Sequence, residues 1–294
     1  MRQFNLLLIV TDSYIIYACP LILSVFKHVP YPIHIFFLMP SISKSTEILI
    51  SNFIKGLGGT SSFYIYNKDV FEGFYYNERY PLFLYAKMVP HMFLPDNIER
   101  IISLDVDTIV MGDIEELYFH DFQNYLLIAC HNKRSLRNLY MARVDSPYFQ
   151  EGFNGGVILY NLNAFRLQIN IDIYRYWLDS YKKLTHNEQE QFEEWVMANT
   201  LKNKFKLLMP FDYNYNISAE KQYDIYCRDK GLVPLKRIIH YQEYSVKKPW
   251  EYYDHFILGA PDDIIESQYY QYYRIWWNYA KELPISLLEA LRIK

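Results

Sequence analysis

The sequence contains little glycine, and none before Gly56. Only ten of its 294 residues are glycine. The two glycine-rich phosphate-binding motifs, G-x-G-x-x-G and G-x-x-x-x-G-K-[S/T], directly follow the first strand of their domains and open a helix. Both motifs are therefore excluded at that place, so the phosphates of any bound nucleotide must be held in another way.

Cysteine is also scarce. The three cysteines, Cys19, Cys130 and Cys227, are an odd number, lie far apart and form no C-x-x-C pair. Their spacing argues against a disulfide framework and against a zinc-thiolate site. We expect reduced, buried thiols in a cytoplasmic protein.

The chain has neither a strong net charge nor a long apolar run. Its formal net charge is -3, with a pI near 6.2, so no global field draws it onto nucleic acid or an anionic membrane. No unbroken apolar stretch reaches the roughly 20 residues that span a bilayer. Residues 1–26 are largely apolar, but Thr11, Asp12 and Ser13 interrupt them and only Arg2 is basic, which argues against an export signal.

Aromatic residues are abundant, at 18% of the chain. Seven of them crowd into residues 269–279, next to Arg274 and Lys281. Two interpretations are open: an amphipathic helix that makes peripheral membrane contact through residues 269–281, or a helix packed back onto the domain. The second is favoured.

Apolar segments predict strands at residues 4–10, 33–39 and 63–66, with helices at 14–28 and 43–55 between them. This order predicts an α/β fold with a mixed, mainly parallel sheet flanked by helices. Further on we expect a strand at 156–161, helices at 172–184 and 188–204, and a strand at 237–241. We expect one domain, residues 1–255, with a helical extension, residues 256–294. Ligands bind at the carboxyl ends of such strands, which places residues 11–14 at a candidate site.

Asp105 and Asp107 directly follow the apolar segment Ile101–Leu104. Residues two apart on an extended chain point the same way, so both carboxylates face one point beyond the strand end. Two like charges that close repel each other unless a cation or a proton lies between them. A hard divalent ion with oxygen ligands relieves this repulsion and can in turn bind a diphosphate.

Three other segments carry polar groups that suit a ligand-binding site. Asn154 and Gly155 precede a predicted strand, where an amide can bond sugar hydroxyls and glycine allows close approach; a plain turn is the alternative. The segment 187–190 (NEQE) has a capping-box pattern, which would explain its carboxylates without a catalytic role. His240 closes a predicted strand, and Lys248-Pro249-Trp250 follows it.

In their order, these segments resemble glycosyltransferase family 8, the retaining enzymes of GT-A fold that include bacterial lipopolysaccharide galactosyl- and glucosyltransferases and glycogenin. The likeness runs from about Phe4 to Trp250. Residues 100–117 (RIISLDVDTIVMGDIEEL) look like the family's metal-binding segment, and residues 153–166 (FNGGVILYNLNAFR) look like its donor-sugar segment. Glu188-Gln189-Glu190 stands where the family has Asp-Gln-Asp, and His240 with Lys248-Pro249-Trp250 resembles its closing motif.

The resemblance implies a hexosyltransferase that uses UDP-glucose or UDP-galactose, with lipopolysaccharide or another glycan, free or lipid-linked, as acceptor. It implies Mn²⁺, with Mg²⁺ as the alternative, bound by Asp105, Asp107 and His240. It also implies the following donor contacts: the base and ribose by Thr11, Asp12, Ser13, Tyr14 and the backbone of Val106; the phosphates by Lys87 and Lys248; and the sugar by Asn154, Gly155 and Glu188.

Gln189 is the positional candidate for a catalytic nucleophile, with Glu188 beside the reacting carbon. Because an amide is a poor nucleophile, we favour attack by the acceptor from the face that the diphosphate leaves.

The sequence departs from the family pattern at three places: Asp12-Ser13-Tyr14 is one residue short, the loop between His240 and Lys248 lacks its glycine, and Glu188 and Glu190 replace aspartates. Alternative functions are a nucleotidyltransferase, and a sugar- or membrane-binding protein on a degenerate transferase scaffold.

Overall fold

The computed structural model describes residues 2–74, 81–140, 152–184, 193–242 and 247–292. The strands are β1 (Phe4–Ile9), β2 (Ile33–Met39), β3 (Thr60–Ile65), β4 (Arg100–Leu104), β5 (Thr108–Val110), β6 (Leu127–His131), β7 (Phe153–Asn161), β8 (Phe205–Leu208), β9 (Tyr215–Asn216) and β10 (Ile238–His240).

The α-helices are α1 (Cys19–His28), α2 (Lys44–Gly56), α3 (Glu115–Tyr118), α4 (Lys133–Tyr140), α5 (Leu162–Gln168), α6 (Ile171–Leu184), α7 (Glu193–Thr200), α8 (Pro210–Tyr213), α9 (Glu220–Lys230), α10 (Tyr253–Leu258), α11 (Tyr270–Ala280) and α12 (Ile285–Ala290). Short 3₁₀ helices occupy Ile15–Ala18, Lys68–Phe71, Leu82–Met88, Pro90–Met92, Ile217–Ala219, Pro249–Tyr252 and Asp263–Glu266.

Within the described ranges, the large sheet has seven strands in the order β3-β2-β1-β4-β7-β6-β8. β7 runs antiparallel to its neighbours β4 and β6, and the other neighbouring pairs of this sheet are parallel. β1 is buried on both faces: Leu6 and Leu8 join one hydrophobic cluster, and Leu7 and Ile9 join the other. Such burial explains its mainly apolar sequence, in which Asn5 is the one polar residue. The predicted mixed, mainly parallel α/β fold is confirmed.

A second, three-stranded sheet has the order β5-β10-β9. β10 pairs antiparallel with β5, so that His240 lies opposite Thr108, and the backbone N–H of Tyr241 donates to the carbonyl of Asp107 at 2.8 Å. The small sheet thus joins the end of β10 to the turn between β4 and β5. This pairing holds β10 against the segment after β4, although the two are far apart in the sequence.

Several element boundaries differ from those predicted, and β3 begins at Thr60 instead of at residue 63. The first helix begins as a 3₁₀ turn and becomes α-helical at Cys19, because Pro20 favours the first turn of an α-helix. The strand expected from Gly156 begins at Phe153, since the ladder with β6 continues through Asn154. The helix expected at 188–204 ends, in its described part, at Thr200.

The aromatic carboxyl-terminal segment packs onto the domain, as the favoured interpretation predicted. On α11, Tyr272, Tyr273, Trp276 and Trp277 are buried in the same core cluster as β1 and α1. Trp277 Nε1 donates to the carbonyl of Pro249 at 2.8 Å, so the helix braces the segment that carries the neighbouring Lys248. In the described residues, no helix combines the length and apolarity needed to cross a membrane. The division into residues 1–255 and 256–294 stays a prediction.

Candidate active site

The three predicted metal ligands lie together. Potential ligand atoms of Asp105, Asp107 and His240 all lie within 4.8 Å of one another. Asp105 and Asp107 stand in the turn after β4, and His240 ends β10. The pairing of β5 with β10 therefore completes the cluster, because it carries the imidazole across to the two carboxylates.

The predicted donor-sugar segment, residues 153–166, begins beside the same cluster. β4 and β7 are antiparallel, so the carboxyl end of β4 meets the amino end of β7. The backbone N–H of Asp105 donates to the carbonyl of Gly156 at 2.9 Å. Asn154 and Gly155 are consequently strand residues beside the carboxylates and not the turn that was the alternative.

Two lysines neutralise the carboxylates. Lys87 is 4% exposed, and its Nζ lies 2.7 Å from Asp105 Oδ1 and 3.4 Å from the carbonyl oxygen of Gly155. Lys248 Nζ donates to Asp107 Oδ2 at 2.6 Å and to the carbonyl of Tyr241 at 2.9 Å. Burial alone would raise the pKa of the Asp107 carboxyl, but Lys248 and His240 outweigh it and hold that pKa well below its usual range. Asp107 therefore stays ionised as a ligand must.

The residues fit a divalent cation. Two carboxylates and one imidazole are a ligand set that suits Mn²⁺, and three protein ligands leave coordination positions for a substrate. The imidazole has its place because residue 156 is glycine: a Cβ there would lie 2.2 Å from His240 Cε1. A larger residue at 156 would occupy the space that the metal-binding ring needs.

A cavity of about 460 Å³ opens at the carboxyl ends of β1 and β4. Its lining includes Thr11, Ser13 and Tyr14 on one side and Asp105, Val106, Asp107 and Lys248 on the other. Asp12 is not among the lining residues; its Oδ1 accepts from Ser43 Oγ at 3.4 Å, at the start of α2. Thr11 therefore lines the cavity, whereas Asp12 does not.

A second, smaller cavity of about 200 Å³ lies beside the ligand cluster. Side-chain amides dominate its lining, which also includes Lys133 and Glu194. The carboxylate of Glu194 accepts from the backbone N–H of Gly155 at 2.6 Å. This cavity therefore presents side-chain amides and a carboxylate, which are groups that can bond hydroxyls.

Two groups of predicted residues lie outside the described residues. Glu188 and Gln189, with Glu190, fall in 185–192, and the loop that lacks the expected glycine falls in 243–246. Their assignments stay predictions.

Glu194, Asn214 and the lining role of Trp250 were not predicted from the sequence. Glu194 follows the Glu188–Glu190 segment closely, and a second acidic pair, Glu193-Glu194, was the signal that could have drawn attention to it. Asn214 Oδ1 lies 2.9 Å from His240 Nδ1, but no local pattern marks Asn214. Trp250 lines the larger cavity and lies 6.3 Å from the ring of Tyr14.

Comparison with known proteins identifies the family. The family model "Glycosyl transferase family 8" matches residues 5–254. A putative glycosyltransferase of Haemophilus influenzae is 24% identical over 209 residues, which are 70% of this chain and 62% of that protein. Glycosyltransferase GlyA of Streptococcus pneumoniae is 28% identical over 195 residues, which are 64% of this chain and 23% of that protein. The chain thus spans less than two thirds of these relatives' lengths.

Solved structures show the same fold. The galactosyltransferase LgtC, in complex with donor and acceptor sugar analogs, has a TM-score of 0.73 and 20% identity, with 98% of this chain and 100% of that chain covered. The glycosyltransferase GlyE of Streptococcus pneumoniae has a TM-score of 0.62 and 18% identity, with 99% and 63% covered. The predicted GT-A fold is thereby confirmed.

Proposed function

Because the chain belongs to glycosyltransferase family 8, we propose that it transfers a hexose from a UDP-sugar to a glycan or lipid-linked glycan, with Mn²⁺ bound by Asp105, Asp107 and His240. One observation carries this proposal: the three ligand side chains converge, with Asp105 and Asp107 in the lining of the 460 Å³ cavity and Asn214, the neighbour of His240, in the lining of a smaller polar one. A nucleotide and a sugar joined by a diphosphate would need two such spaces with a cation between them.

The nucleoside fits the larger cavity. Tyr14 is 41% exposed at the rim of this cavity, and its ring is T-shaped to that of Trp250; we assign Tyr14 to stack on uracil. Thr11 and Ser13 offer hydroxyls to the base and ribose, and Val106 offers its backbone. The carboxylate of Asp12 accepts from Ser43, so the Asp12 side chain would have to rotate away from Ser43 to reach the nucleotide.

The diphosphate would lie over the ligand cluster. The cation supplies Lewis-acid stabilisation of the negative charge that grows on the leaving phosphate. Lys248 contributes a second positive charge at the same place, since its ammonium already contacts Asp107. Lys87, almost buried between Asp105 and Gly155, supplies a third on the side of the sugar.

The transferred sugar would lie in the smaller cavity, where Asn154 and Glu194 bond its hydroxyls, next to the expected sugar contact Gly155. Glu188 and Gln189 keep the roles expected of them, beside the reacting carbon. We assign the reaction retention of anomeric configuration, through attack by the acceptor on the face that the diphosphate leaves. NMR of the product tests this: an inverted anomer would rule the mechanism out.

The experiment that tests the function is a hydrolysis assay. The protein is incubated with a panel of UDP-, GDP- and ADP-sugars with and without Mn²⁺, and release of the nucleoside diphosphate is measured. We expect Mn²⁺-dependent release of UDP from UDP-glucose or UDP-galactose, and Asp107→Asn should lower it by at least about 100-fold because the cation loses a ligand.

The matched control is Asp113→Asn. Asp113 lies in the same segment, is exposed, and accepts from the backbone N–H of Glu115 at 2.7 Å, so its loss should leave UDP release unchanged. If Asp107→Asn releases UDP at the wild-type rate, the metal site is wrongly assigned. If the wild type neither releases nor binds UDP, the degenerate-scaffold alternative replaces the proposal.

A further inference from the structure

A chain of buried side-chain amides ends at the imidazole of His240. Asn214 Oδ1 lies 2.9 Å from His240 Nδ1, and Asn214 Nδ2 donates to Asn154 Oδ1 at 2.9 Å. Asn154 Nδ2 in turn donates to Gln242 Oε1 at 2.7 Å. Asn154, Asn214 and His240 are each at least nine-tenths buried, so water does not replace these partners readily.

Backbone groups fix which way each amide points. The N–H of Gly156 donates to the side chain of Asn154 at 3.0 Å. A backbone N–H is only a donor, so the atom of Asn154 that receives it must be the amide oxygen. That oxygen also faces Asn214, which must therefore present its NH₂ group there and its oxygen to His240.

The other end of the chain is anchored in the same way. The backbone N–H of Ser218 donates to Asn216 Oδ1 at 3.0 Å, so Asn216 presents its NH₂ group to Gln242 Oε1, 2.8 Å away. The Gln242 oxygen thus accepts from Asn154 and Asn216 alike. The His240 end and the Asn216 end of the chain of amides therefore require the same orientation of Asn154. A flip of any one amide would place two donors or two acceptors against each other.

We propose that Asn214 is a positioning residue that keeps a proton on His240 Nδ1 and so leaves Nε2, on the side of Asp107, free to bind the metal ion. An amide oxygen only accepts, hence the ring nitrogen that faces it must donate. Nε2 lies 3.3 Å from Asp107 Oδ1, at the ligand cluster. The inference rests on the proposed metal site. It explains why Nε2, and not Nδ1, is the ring nitrogen that binds the ion.

The amides also couple the metal site to the sugar site. Asn154, Asn214, Asn216 and Gln242 all line the smaller cavity, and Asn154 belongs to the strand that bears Gly155. A partner that orients a metal-binding histidine typically changes metal affinity by about 10- to 100-fold when it is removed. We therefore expect Asn214→Ala to raise the Kd for Mn²⁺ by at least about 10-fold, with Asp105 and Asp107 unchanged.

The first test is a Mn²⁺ titration followed by EPR, with Asn161→Ala as the control. Asn161 lies at the other end of β7, where its side chain caps α5, so its loss should leave the Kd as in the wild type. Thermal unfolding by circular dichroism confirms that both variants are folded. An Asn214→Ala variant that is folded and binds Mn²⁺ like the wild type would overturn the proposal.

The second test needs no metal. Long-range ¹H-¹⁵N spectra of histidine-labelled, metal-free protein, assigned with His240→Ala, report which ring nitrogen of His240 carries a proton. We expect a protonated Nδ1 in the wild type and, in Asn214→Ala, the proton on Nε2 facing Asp107; an unprotonated Nδ1 in the wild type would overturn the inference. A protonated Nδ1 in a wild-type protein that fails to bind Mn²⁺ would instead refute the proposed function and leave the amide chain standing.

Discussion

Gly156→Ala is a single-methyl change that should disable the metal site. A Cβ at residue 156 would lie 2.2 Å from Cε1 and 2.5 Å from Nδ1 of His240. Non-bonded carbon atoms sit about 3.5–4.0 Å apart, so the ring would have to move by more than about 1 Å. The backbone of Gly156 does not have a positive φ, so the effect is one of space and not of backbone strain.

Neither the His240 ring nor the backbone at residue 156 can move easily. The ring is held by Asn214 at Nδ1, its strand is paired with both β5 and β9, and the carbonyl of Gly156 accepts from Asp105 N–H. We expect a loss of about 1–3 kcal/mol in the free energy of unfolding, as for other overpacked sites. We also expect a rise of at least about 10-fold in the Kd for Mn²⁺, the range seen when a histidine ligand loses its orientation.

The assay combines urea denaturation with EPR-detected Mn²⁺ binding. Gly112→Ala is the matched control, because the nearest atom to its added Cβ would be Arg237 Cγ at 3.5 Å, an ordinary contact. That variant should bind Mn²⁺ like the wild type. Wild-type Mn²⁺ affinity in Gly156→Ala would show that His240 is not a ligand in the position described.

Three other predictions concern the nucleotide, a buried histidine and the carboxyl-terminal helix. Tyr14→Ala should weaken UDP binding in calorimetry by about 1–3 kcal/mol, the value of stacking a base on an aromatic ring, while Tyr14→Phe binds normally; equal losses would exclude stacking. Burial, with a smaller effect of Arg166, lowers the pKa of His91 despite its bond to Ile169, so stability falls as pH drops below about 6.5, the usual histidine value. His91→Gln should show a shallower fall in urea denaturation between pH 7 and 5, and an unchanged slope would contradict this. Trp276→Ala should cost about 3–5 kcal/mol of unfolding free energy, and a change below about 1 kcal/mol would show that α11 is not part of the core.

The sheet was predictable because local pattern and burial agree. β1 and β4 are mainly apolar segments followed by polar residues, and strands buried on both faces have that pattern. The start of β7 was predicted too late, because Asn154, Gly155 and Gly156 have the composition of a turn. Pairing with β6, and the bond from Asp105 to Gly156, make them part of a ladder, which are contacts that a local pattern does not contain.

The metal site was predictable for a different reason. Asp105 and Asp107 are two apart at a strand end, so their convergence follows from strand geometry alone. His240, more than a hundred residues away, was added by the resemblance to the family. Glu194 and Asn214 were missed because their roles depend on which side chain reaches Gly155 and which amide faces His240. Those contacts arise only when α7 and the small sheet pack beside β7.

The binding of UDP in the presence and absence of Mn²⁺, measured by calorimetry, tests the central claim most directly. If the diphosphate and the side chains of Asp105, Asp107 and His240 share one cation, the Kd for UDP should fall by at least about 10-fold when Mn²⁺ is present, a coupling of about 1.4 kcal/mol. By linkage, UDP should tighten Mn²⁺ binding by the same factor. Equal affinities for UDP with and without Mn²⁺ would contradict the account.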